Sequence, residues 1–164
     1  MHAYEVAGWS DFFVATAGAA AALAGLLFVA ISINLDSILA DPGLPGRAGE
    51  TIVLLLGSLL AAAMSLIPGQ TSHHLGAEML FVAVIAWFLP VRWQIQNARR
   101  PQPAKEYRLM RALLTQYATL PLIFGSISLI VGWGGGLYWV AAGILHVFVV
   151  TGLSAWILMI EIKR

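Results

Sequence analysis

The chain has 164 residues, of which 60% are hydrophobic and only 10% charged. A soluble domain carries about a quarter charged residues, so an ordinary water-facing globular core is excluded. The net charge of +1 is uninformative as a total, and the absence of cysteine removes disulfides, thiolate nucleophiles and Cys-based metal sites.

The N-terminus, Met1-His2-Ala3-Tyr4-Glu5, carries no basic leader. The apolar run behind it is too long for a signal-peptide core, so the first span is expected to stay as an anchor. That span is predicted over residues 10–39. Ser10 and Asp11 offer an N-cap and a first-turn acid. Residues 12–35 contain no charged side chain, more than the ~20 apolar residues that cross a ~30 Å hydrocarbon layer. Within it Ala15, Gly18, Ala22 and Gly25 recur at three- and four-residue spacing, with Ala17, Ala21 and Ala24 on the adjoining stripe. In lipid, small residues at that spacing let a second backbone approach closely, because van der Waals contact holds membrane helices together.

Two prolines and two glycines between Asp41 and Gly46 end the run. Beside this joint Asp36, Asp41, Arg47 and Glu50 read as a solvated or mutually paired turn, with a cation entry site as the alternative. The second span is predicted over 48–67, and its Ser58, Ala62 and Ser65 form a small-residue groove whose natural partner is the Gly/Ala stripe of the first span. Pro68-Gly69 closes it. The third span follows over 75–96. Glu78, in its first turn, complements the helix dipole; joined to His73 and His74 it offers an alternative proton or metal site. After a polar connection containing Pro101 and Pro103, the fourth span runs over 108–131. Thr115, Gln116 and Thr119 stand one turn above its basic start. Pro121 removes a backbone donor and frees the carbonyl of Tyr117, so a kink is expected. Thr115, Thr119 and Ser126 share a face that lines a water-filled path or bonds to neighbouring helices. A glycine-rich hairpin at 132–136 leads to the fifth span, 137–162. His146 lies two turns inside it, too deep for a surface residue. A neutral imidazole there needs a hydrogen-bond partner, either a neighbouring Ser, Thr or carbonyl, or a proton or ion in transit.

The nine Lys and Arg side chains fall on one side of these five spans: Arg47, Arg92, Arg99, Arg100, Lys105, Arg108, Arg111, Lys163 and Arg164. Positive-inside bias places the N-terminus outside and the C-terminus in the cytoplasm. Trp9, Trp133, Tyr138 and Trp139 mark the outer boundary, and Trp93, Tyr107 and Trp156 the inner one. The cationic cluster sets topology among anionic headgroups, or docks a partner. The expected architecture is an all-α polytopic membrane protein, five transmembrane helices in one bundle, N-terminus outside and C-terminus cytoplasmic.

No phosphate loop, nucleophile elbow or triad is visible, which points away from an enzyme. No cofactor, metal or nucleic acid is called for; the lipid bilayer, a second copy and a membrane-protein partner are. The segments Trp9-Ser10-Asp11-Phe12-Phe13, Ala17-Gly18-Ala19-Ala20-Ala21-Ala22-Leu23-Ala24-Gly25-Leu26 and Ser32-Ile33-Asn34-Leu35 resemble small bacterial integral membrane proteins labelled modulators of the FtsH protease. The resemblance covers the first span and its flanks. It implies a multi-pass protein of the bacterial inner membrane and brings no site residues with it. Two functions follow as expectations. One is an accessory or regulatory protein acting through intramembrane helix association. The other is a homo-oligomeric ion or proton channel, or a small transporter, using polar faces of the fourth and fifth spans.

Overall fold

The structure, a computed structural model, describes residues 3–98 and 105–162. Arg99, Arg100, Pro101, Pro103, Lys163 and Arg164 lie outside the described residues, as do the side chains of Lys105 and Tyr107. Among the described residues all regular structure is helical. A 3-10 turn, Val6–Trp9, runs into α1 (Ser10–Ile33), followed by a short α2 (Leu35–Ala40), α3 (Leu44–Met64), α4 (Ser72–Ala98), α5 (Lys105–Val131) and α6 (Leu137–Ile162). Five of these, α2 being the exception, are long and apolar enough to cross a membrane, as a multi-pass membrane protein requires.

The first long helix is shorter than its hydropathy suggests, and Asn34 is the reason. In a continuing helix the N–H of Asn34 would bond the Ala30 carbonyl. Instead the Asn34 side-chain amide donates to that oxygen at 2.8 Å, and the Asn34 N–H turns to Ile31 O at 3.2 Å. The side chain outcompetes its own backbone, so residues 35–40 form a separate turn whose Ile38 is buried with Leu44, Ala48 and Leu158. Nor is Ser10 a cap. The preceding 3-10 turn passes directly into α1, and Trp9 holds the cap position without a side-chain capping bond. The chain re-enters helix at Leu44, earlier than expected, because Pro45 sits in the first turn, where its missing N–H costs nothing.

In cross-section α3 touches α4, α4 touches α5, α5 touches α6, and α6 returns to α3. These four close a ring, and α1 lies outside it, against α3, with little contact to α6. The ring closes on glycines. A Cβ at Gly143 of α6 would stand 2.5 Å from Leu122 Cγ of α5, and one at Gly125 of α5 2.8 Å from the backbone of Val140. Only a bare Cα fits such a crossing.

The face α1 turns to the ring is Phe13, Thr16, Ala20, Ala24 and Leu27, all buried. The stripe expected there, Ala15, Gly18, Ala22 and Gly25, is exposed, and nothing lies within 4 Å of where a Cβ would stand on Gly18 or Gly25. At 100° per residue the two sets are centred about half a turn apart. Ser58, Ala62 and Ser65 are indeed buried, but the Gly/Ala stripe does not cover them.

The hairpin end is latched to the N-terminus. Gly132, Gly134, Gly135 and Gly136 take positive φ, which brings the N–H groups of Gly135 and Gly136 to Tyr4 Oη (3.0 Å) and Ser128 Oγ (2.8 Å). Leu137 N–H donates to Ala3 O at 2.8 Å, and the Trp9 ring meets Tyr138 edge-on at 4.8 Å.

Candidate functional site

Polar side chains inside these helices gather at two levels. The first is the α5–α6 crossing. Proline at 121 cannot bond the carbonyl of Tyr117, one turn back. His146 lies about 13 Å from the start of α6, and its Nδ1 stands 3.2 Å from that carbonyl oxygen. The acceptor is a carbonyl, so Nδ1 carries the proton and donates, leaving Nε2 as an acceptor. The imidazole also stacks on the Tyr117 ring, centroids 4.0 Å apart and planes 17° from parallel. His146 therefore fills the hydrogen bond that Pro121 vacates, the carbonyl-bonded role among those expected for it. One residue before Tyr117 on α5, Gln116 accepts at Oε1 from Trp87 Nε1 of α4 at 2.8 Å.

The second level, near the Arg-rich end, joins α3, α4 and α5. Glu50, one of the joint residues read as a solvated or mutually paired turn, is only 6% exposed and pairs outside that turn, whereas Asp36 and Asp41 are exposed. Arg111 reaches it with Nε at 2.9 Å and a terminal guanidinium nitrogen at 2.7 Å, a two-pronged contact. Gln94 Nε2 donates to Thr115 Oγ1 at 2.7 Å and lies 3.4 Å from Glu50 Oε2. Thr115 in turn donates to Arg111 O at 3.1 Å. Thus Arg111 belongs to the bundle interior and not to a headgroup-facing cluster, while Arg92 and Arg108 are exposed. Glu50, Gln94 and Arg111 escaped the sequence reading as a site. The signal was there: Glu50 continues the stripe Leu54, Gly57 and Ala61, and Arg111 the stripe Thr115, Ala118 and Leu122, all of which are buried.

The remaining candidates do not converge. Glu78 is exposed and accepts from Gln70 Nε2 at 2.7 Å. His73 Nδ1 reaches Ile130 O at 2.7 Å. No three described His, Asp or Glu side chains come together as a metal ion would need. Thr119, Ser126 and Thr151 are buried and donate to carbonyls of their own helices, Thr115 O (2.8 Å), Leu122 O (2.7 Å) and Val147 O (2.7 Å). Their hydroxyl protons are used within a single helix. The His146–Tyr117, Trp87–Gln116, Gln94–Thr115 and Arg111–Glu50 contacts join different helices. They present no nucleophile beside a base. Comparison with protein-family models, curated proteins and solved structures finds no match.

Proposed function

We propose that this chain is a non-enzymatic accessory or regulatory protein of the bacterial inner membrane, acting through intramembrane association of α1 with a second copy of itself. The observation that carries the reading is the free face of α1: Ala15, Gly18, Ala22 and Gly25 stay exposed while the opposite face packs on α3. A small-residue stripe turned to lipid loses nothing when a second backbone lies against it and gains close van der Waals contact. The cationic residues favour an external N-terminus and a cytoplasmic C-terminus, and the likeness of residues 9–35 to bacterial membrane proteins favours the inner membrane.

The test is the mass of the solubilised particle. Gly18→Leu with Gly25→Leu should reduce an oligomer to a monomer while the melting temperature stays within a few degrees, since neither position touches the ring. An unchanged mass would end the proposal. A liposome flux assay addresses conduction: ion or proton flux above empty vesicles, reduced by His146→Ala, would favour a channel instead. The buried, internally bonded hydroxyls of α5 and α6 weigh against that outcome.

A further inference from the structure

Between α1, α3 and α6, in the half of the bundle nearer the Arg-rich end, a cavity of about 240 Å³ opens sideways where α1 and α6 barely meet. Leu23, Leu26, Leu27, Leu55, Ala155 and Leu158 supply most of its wall. Three polar residues also reach it, and each is already engaged. Asn34 Nδ2 donates to Ala30 O, Thr51 Oγ1 to Arg47 O and Thr151 Oγ1 to Val147 O. The groove therefore offers hydrocarbon surface without hydrogen-bonding demand, which selects an apolar chain over a polar solute.

Size decides which apolar chain. From Leu23 to Asn34 the groove follows about 16 Å of α1, matching one leaflet of a ~30 Å hydrocarbon layer. A volume of 240 Å³ over that length leaves a cross-section of about 15 Å². A helix ~10 Å across fills about 80 Å², so neither a second copy nor a partner helix enters. A single extended hydrocarbon chain is of the right order. Left empty, the lining would forfeit its contacts on one side. Arg47 follows one turn of α3 beyond Thr51, its side chain lining the adjoining pocket with Glu50 and Arg111, and the exposed Arg92 and Arg108 lie at the same end of the bundle.

We infer that this groove holds one acyl chain of a phospholipid drawn from the leaflet at the Arg-rich end, with the lipid phosphate at that end of the bundle. The site is distinct from the association face, whose residues are centred about a third of a turn away on α1. Gly152 lines the groove, and nothing lies within 4 Å of a Cβ built there, so Gly152→Leu fills the space without displacing a neighbour. Ala30→Phe fills it from α1. The experiment is native mass spectrometry of protein extracted from vesicles of phosphatidylethanolamine and phosphatidylglycerol. Wild type should retain one phospholipid per chain through detergent washing; Gly152→Leu and Ala30→Phe should lose it, and Gly18→Leu should keep it. If Gly152→Leu does not fold, Ala30→Phe decides. Retention by the groove-filling variants at the wild-type level, or release of all lipid from wild type, would overturn the assignment.

Discussion

Glu50 and Arg111 occupy positions where a charge without its partner would be very costly. A buried pair contributes little net stability, because desolvation offsets attraction, yet removing one member strands the other. Glu50→Ala should therefore lower unfolding stability by about 3–5 kcal/mol, and Glu50→Gln combined with Arg111→Met should recover most of it, read by thermal or denaturant unfolding in detergent. A double variant as unstable as the single one would mean that the pair holds the helices in some other way. At the α5–α6 crossing, His146→Ala should cost about 1–2 kcal/mol for the hydrogen bond and the stacked ring. Pro121→Ala restores an N–H that can bond Tyr117 O, so the same His146 change should cost less in that background. Additive effects would deny the coupling. Both halves of this contact were legible in the sequence, since proline frees a known carbonyl and a deep histidine requires a partner. Glu50 was not, because a carboxylate six residues into a helix next to a turn is usually solvated, and only its helical phase with Leu54, Gly57 and Ala61 marks it as buried.

At the scale of the element, glycine has two opposite roles in this chain. Gly143 and Gly125 are places where α5 and α6 touch backbone to side chain, whereas Gly18 and Gly25 meet nothing. Gly143→Ala should lower stability by about 1–3 kcal/mol through overpacking against Leu122. Gly18→Ala should instead raise the stability of the isolated chain by up to about 1 kcal/mol, through reduced backbone freedom in the unfolded state. Equal effects at the two sites, measured by thermal unfolding, would contradict the assigned faces. Spacing alone could not separate these roles, because α1 carries small residues on both sides, and Ala20 and Ala24 serve the ring as well as Gly18 and Gly25 would. Hydropathy located the five long helices because membrane-length apolar runs are hard to mistake. It missed the end of α1, where Leu35, Ile38 and Leu39 continue the apolar pattern past a backbone break made by Asn34. It also gave no notice of Pro90, buried within α4, which removes the hydrogen bond to the Ala86 carbonyl.

At the scale of the molecule, a closed four-helix ring carries a fifth helix on its flank, so the ring supplies rigidity and α1 supplies the free surface. The absence of native cysteine makes the chain a clean background for labelling. If the Arg-rich end is cytoplasmic, an impermeant maleimide should reach Thr71→Cys in intact cells and Asp36→Cys only after permeabilisation; the reverse order would invert the topology. The most direct measurement for α1 is a cysteine cross-linking scan in native membranes, one substitution at a time from Ala15 to Gly25. Self-association through the free face requires dimer bands that peak at positions 15, 18, 22 and 25 and fall at 16, 20 and 24. A maximum on the Thr16, Ala20 and Ala24 face, or no dimer at any position, would contradict it.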